Sequence, residues 1–217
     1  MNLAADCPSE ALRPIPSEPF WDVAAKTRTH RNQGLSVMVF HILECGKYAC
    51  SMQLNPQDLV VALKLALRPG LTFQKLADSL GLSVSAVHRS VTRAKAAGLL
   101  LANRQPNRYA LLEFVLHGAR YAFPAVRGRM TRGMPTAYAA PPLSELIQPG
   151  DDPIPVWPDA EGEARGELFK PLYRCAPAAA RADPKLYECL SLIDALRGGR
   201  ARERNLAKEH LTRLING

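Results

Sequence analysis

Leu71-Thr-Phe-Gln-Lys-Leu-Ala-Asp-Ser-Leu-Gly-Leu-Ser-Val-Ser-Ala-Val-His-Arg-Ser-Val-Thr-Arg-Ala-Lys-Ala-Ala-Gly-Leu-Leu100 decides the reading of this chain, because it describes two helices joined by a tight turn. The first helix is expected to open at Thr72, whose hydroxyl can cap free backbone amides. Its apolar positions Phe73, Leu76, Ala77 and Leu80 fall on one stripe of the α-helical period. The small Ala77 lets a second helix cross closely. Gly81 supplies the positive φ that ends a helix at little cost, Leu82 plugs the angle between the helices, and Ser83 caps the next one. In that second helix Val87, Val91 and Ala94 continue the inward stripe. Ser85, His88, Arg89, Thr92 and Lys95 are left pointing outward or toward its edges.

A polar and basic helix face behind a tight turn is the arrangement that sets a helix into the DNA major groove. Arg89 is suited to bidentate contact with a guanine edge, and His88 and Ser85 to bases or phosphates. Thr92, with Thr72 and Ser83 at the two helix starts, joins the candidate DNA-binding set, while Arg93 and Lys95 are expected to hold the phosphate backbone.

The segment resembles the winged helix-turn-helix of bacterial regulators of the MarR and IclR kinds. The matching residues are Leu76-Ala77, Gly-Leu-Ser at 81 to 83, Ser85 to Arg89, and Ala97-Gly98-Leu99-Leu100. The resemblance covers roughly 55 to 110 and implies a helix before the motif and a β-hairpin wing after it. Asn55-Pro56 and the apolar run to Leu67 suit the preceding helix, with Asn55 as cap, Pro56 at the first helical position and Asp58 at the positive end of the dipole. Leu99 to Ala102 suits the first wing strand and Gln105-Pro106-Asn107 its turn. A wing would bring Arg104 and Arg108 to DNA. Tyr109 to His117 suits a helix as well as a returning strand, so the wing is expected to be short or degenerate.

Charge supports a nucleic-acid partner. Residues 70–140 hold ten Lys or Arg against two acids, a local net of +8 that equals the net charge of the whole chain. Localised excess of this kind is what phosphate neutralisation requires. Winged helices also serve as protein-interaction modules, and a solvated basic face is the plainer alternative.

Around this centre the chain divides by composition. Residues 1–33 carry four prolines and suit a poorly ordered or peripheral arm. Residues 35–45 form an apolar run of undecided state containing His41, read as a packed histidine, and Tyr48 to Leu54 suits a short strand. Met52 is a conceivable internal start. With this leading segment the DNA-binding domain spans 34–120. Residues 121–182 read as a Gly/Pro-rich extended connection. Within it Arg127-Gly128-Arg129 matches the core of minor-groove arms, and Arg132 lies close by. The stretch 149–167 reads as an acidic solvated loop anchored by Trp157, its carboxylates able to fold over the basic surface. Residues 183–217 read as a helical hairpin in which Asp183 caps and Pro184 starts the first helix and Gly198-Gly199 stops it. The second helix presents Leu206, His210 or Leu211, and Leu214. Such a hairpin either closes its own core or forms a two-fold dimer contact.

Other classes find little support. There is no phosphate-cradling glycine loop, His-Glu-x-x-His or Gly-x-Ser-x-Gly, so no catalysis and no cofactor are expected. Five scattered cysteines (7, 45, 50, 175, 189) lack zinc-finger spacing and read as reduced thiols, without metal. No apolar run is long enough to span a bilayer, and the first residues lack a secretory pattern. The sequence therefore predicts a mainly α, cytoplasmic, non-enzymatic protein that binds double-stranded DNA as a homodimer. The expected role is a sequence-specific transcriptional regulator, with repression by operator occupancy the simplest mechanism. The alternatives are a DNA-binding accessory subunit of a toxin-antitoxin, defence or restriction system, and a helix-turn-helix that docks on protein.

Overall fold

Pro56 at the first helical position and Asp58 one turn in start helix α1 (Pro56–Leu67), as their chemistry favours. The Asn55 amide donates to Asp58 Oδ2 at 2.8 Å, so the aspartate rather than the asparagine side chain does the capping. The computed structural model describes residues 53–148, 150 and 152–217, all within one compact unit, Tyr48–Gly217. The N-terminal arm, the apolar run with His41, cysteines 7, 45 and 50, most of the proposed Tyr48–Leu54 strand and the Met52 start lie outside the described residues.

The architecture is mainly helical with a small three-stranded sheet. Helices α2 (Phe73–Leu80) and α3 (Val84–Ala96) follow α1. Next comes a hairpin reduced to a single bridge between Leu100 and Pro106, closed by the Leu101 amide donating to the Gln105 carbonyl at 2.8 Å. Tyr109 to His117 is helical, not a returning strand. It belongs to α4 (Arg108–Glu113), whose coil widens into a π-helical turn (Phe114–Gly118) and continues as α5 (Ala119–Ala122).

The expected extended connection is a sheet. Strand β1 (Arg127–Pro135) pairs antiparallel with both β2 (Pro155–Pro158) and β3 (Ala164–Phe169), and β2 and β3 pair parallel, so each strand touches the other two. Glycine makes this tight curl possible. A Cβ at Gly133 would overlap the Trp157 carbonyl, and one at Gly166 would overlap the Ile154 carbonyl. The stretch expected to be an acidic loop thus holds two strands, though Trp157 anchors it as expected: it is 1% exposed.

Helices α6 (Ala176–Ala182), α7 (Pro184–Gly198) and α8 (Ala201–Asn216) complete the chain. The terminal hairpin forms, but α7 is not amphipathic. Cys189, Ser191, Leu192 and Asp194 are buried along with Leu186, Leu190, Ile193 and Leu196, because α7 packs on α8 from one side and on α1, α5, α6 and the turn Ala137–Ala139 from others. A helix covered on every side has no stripe to read. On α8 the buried stripe is Ala207, Leu211 and Ile215, so of the expected face Leu211 is buried while Leu206, His210 and Leu214 are half-buried.

Two polar knots tie the helices to the sheet and to each other. Asp194 Oδ2 accepts from Trp157 Nε1 at 2.6 Å and from Thr136 Oγ1 at 2.9 Å, and Oδ1 meets Arg197 at 2.5 Å. Asp183 stands at the cap position of α7 but makes no side-chain cap bond. Its carboxylate is used by Lys64 of α1, 2.6 Å away.

Candidate nucleic-acid interface

Local chemistry builds the α2–turn–α3 unit as the sequence dictates. Thr72 Oγ1 accepts from the Lys75 amide at 3.3 Å, Ser83 Oγ accepts from the Ala86 amide at 3.2 Å, and Gly81 turns the chain at φ +63°. Leu76, Ala77, Leu80, Val87, Val91 and Ala94 are buried, and Leu82 packs against them. Both cap hydroxyls spend one lone pair on an amide and stay exposed at the helix starts; Thr72 keeps one acceptor site and its hydroxyl proton, while Ser83 Oγ also shares a hydrogen bond with Ser85 Oγ at 3.2 Å.

The outer face of α3 carries Ser85, His88, Arg89 and Thr92, all exposed. Arg89 has no carboxylate within ion-pair distance among the described residues. Thr92 Oγ1 donates to the His88 carbonyl at 3.0 Å, so it faces outward as an acceptor. Lys95 reaches the Ala102 carbonyl at 2.7 Å and thereby holds the hairpin against α3.

His88 does not stand alone. Its ring lies on Phe73 at 3.7 Å between centroids and 15° between planes, and the Arg104 guanidinium covers Phe73 at 4.6 Å. Phe73, expected in the core stripe, is half-buried and serves as the platform between the hairpin tip and α3. Arg104 sits in the hairpin turn at a positive φ of 67°, its amide donating to the Leu101 carbonyl at 2.9 Å.

Several arginines expected at DNA have partners in the fold. Arg93 forms a fork with Asp58, Nε to Oδ2 and NH2 to Oδ1 each at 2.7 Å, so it fastens α3 to α1 instead of projecting toward phosphate. Asp58 lies 35 positions earlier, and nothing in the local sequence pattern marks it as a partner. Arg108 caps the end of α8 through the Ile215 carbonyl and also reaches the Ala66 carbonyl at 3.2 Å. Arg127 pairs with Glu167 at 2.7 Å, donates to the Gly198 carbonyl at 2.9 Å and lies over Phe169. Arg127-Gly128-Arg129 is thus part of a paired strand and not a free minor-groove arm. Arg129 is exposed without an acidic partner among the described residues, and Arg132 Nε donates to the Gly162 carbonyl at 2.5 Å. The acidic residues Asp159 and Glu161 are held by Arg181 of α6 and do not cover α3.

Among the described residues no group of three or more His, Cys, Asp or Glu could hold a metal, and no helix is long and apolar enough to cross a membrane. Comparison of the chain with models of protein families, with curated proteins and with solved structures gives no match. The class of protein therefore rests on the helix pair and its exposed face.

Proposed function

We propose that this chain is a sequence-selective DNA-binding protein of the winged helix-turn-helix class, its wing reduced to the Leu100–Pro106 hairpin, and that α3 enters the major groove. The observation that carries this reading is the division of α3 into two faces. Val87, Val91 and Ala94 are buried and Arg93 is forked to Asp58, while Arg89 projects among Ser85, His88 and Thr92 with no carboxylate partner among the described residues. An unpaired arginine on a rigidly held helix suits bidentate recognition of guanine.

Transcriptional regulation by occupancy of an operator is the simplest role, and two copies across a palindrome are the usual geometric remedy for the few base pairs one helix reads. α7 is consumed by the chain's own core, so a dimer contact would use other surfaces.

The test is fluorescence anisotropy of the full chain on duplex from upstream of its own gene and on random duplex, from low to near-physiological salt, beside Arg89→Ala. Tight, salt-dependent, sequence-selective binding that the substitution weakens by about 1–3 kcal/mol supports the reading. Salt-independent behaviour, or binding to neither duplex, overturns it in favour of a protein partner.

A further inference from the structure

The sheet carries a second cationic surface. In the β1–β3 ladder Arg132 lies directly opposite Arg165. Residues so placed have Cβ atoms about 5 Å apart on the same face, and like charges there are destabilising. Both side chains reach solvent, and neither has a carboxylate within ion-pair distance among the described residues. The Gly162 carbonyl holds Arg132 by its Nε, which leaves the two terminal nitrogens of the guanidinium to face outward. Arg129 adds a third exposed cation on the same strand.

The acids nearest this pair are mostly committed elsewhere. Asp159 and Glu161, in the turn from β2 to β3, are both bound by Arg181. Glu167 is bound by Arg127, which leaves Glu163 against two arginines. A fold that brings two arginines together and turns the neighbouring carboxylates away has a surface suited to a polyanion.

We infer that the Arg132–Arg165 pair is a second phosphate clamp, which grips the backbone of the same DNA that α3 reads. This rests on the DNA-binding reading above and deepens it. DNA fits better than other anionic surfaces because the sheet is fastened to the helix-turn-helix itself. Arg181 ties the β2–β3 turn to α6, and at the other end of α6 Cys175 packs on the Gly81 turn, its Sγ 3.5 Å from the Gly81 carbonyl oxygen. A planar guanidinium binds phosphate oxygens bidentately, so two of them opposite each other can hold one phosphate or two successive ones.

The experiment is a salt titration on random duplex and on the preferred duplex with wild type, the double variant Arg132→Gln/Arg165→Gln, and Arg89→Ala. Thermal unfolding without DNA serves as the control for folding. The double variant is expected to unfold close to wild type, since relief of the like-charge pair offsets loss of the Arg132–Gly162 hydrogen bond. Its log-log salt slope should be shallower by about 0.9 for each phosphate it no longer neutralises, on both duplexes alike, with sequence preference retained.

An unchanged slope, with Arg89→Ala still weakening binding, would overturn the clamp and leave the α3 reading intact. A reduced slope with Arg89→Ala binding as wild type would keep the clamp and remove α3. Failure of wild type to bind either duplex would overturn both, and binding to phosphatidylserine vesicles in its place would make this a membrane surface.

Discussion

Lys64 Nζ and Asp183 Oδ2 meet 2.6 Å apart with both side chains 3% exposed, an ion pair that joins α1, the helix before the α2–turn–α3 unit, to the start of α7, the central helix of the C-terminal region. Arg68 reaches the same carboxylate from the rim, Nε to Oδ2 at 3.4 Å. A buried pair of this kind adds little over well-packed apolar residues, but removing one partner leaves an uncompensated charge. Asp183→Ala is expected to cost about 3–5 kcal/mol in urea unfolding, whereas Lys64→Met/Asp183→Leu should lie closer to wild type. A double variant as unstable as the single one would show that the pair itself, and not the orphaned lysine, holds the two parts.

The same carboxylate sets an acid limit. Burial alone would raise the Asp183 pKa, but the Lys64 hydrogen bond and charge and the Arg68 charge outweigh it and hold it below the ordinary 3.8. A carboxylate depressed in the folded state contributes stability that is fully present above its unfolded pKa and is lost as pH falls through the folded one. Melting temperature should therefore drop below about pH 4, and less steeply in Lys64→Met/Asp183→Leu. Parallel curves for the two proteins in that range would contradict the assignment.

Arg89 and Arg93 lie four residues apart on α3 and should behave in opposite ways. Arg93→Ala frees the fully buried Asp58 and should destabilise by about 3 kcal/mol. Arg89→Ala removes no ion pair of the fold and should leave the melting temperature unchanged while it weakens DNA binding. Thermal unfolding separates the two. A stable Arg93→Ala variant with weakened DNA affinity would return Arg93 to the binding face.

Phe73 links His88 to Arg104, so one substitution tests both interactions. Phe73→Leu keeps most of the apolar packing but removes the ring stack and the cation–π interaction, together about 1–2 kcal/mol. Urea unfolding should show that deficit, and the double variant Phe73→Leu/His88→Ala should fall little further. Full additivity of the two substitutions would mean that the stack contributes nothing.

What the sequence disclosed was local. Thr72, Gly81 and Ser83 mark helix ends by their own chemistry, and Val87, Val91 and Ala94 repeat with the helix period, so α2, its turn and α3 could be placed from sequence. Arg93 could not, because its partner is 35 positions away and either fate suits an arginine on a helix edge. The sheet was hidden for two reasons. Arg127 to Pro135 contains two glycines and no alternation of apolar residues, and Pro155-Val-Trp-Pro158 looks like a breaker until its pairing with β1 is known. Asp183-Pro184 does start a helix, but the carboxylate serves Lys64 because a buried lysine needs a charge partner more than an amide needs a cap.

Cys189 reports on the core that the Lys64–Asp183 pair helps to close. Its thiol is fully buried on α7, and burial, with a smaller push from Glu188, raises its pKa to about 12. Alkylation proceeds through the thiolate, so Cys189 should react only when α7 opens, at a rate set by unfolding. Cys175 is half-exposed beside Gly81 and should react in the folded protein. Iodoacetamide labelling read peptide by peptide should show Cys175 modified well before Cys189. In Asp183→Ala the protection of Cys189 should weaken in proportion to the drop in stability, because opening then costs less. Cys189 labelling at the rate of Cys175 in the native wild type would mean that α7 opens locally and is not the centre of one cooperative unit.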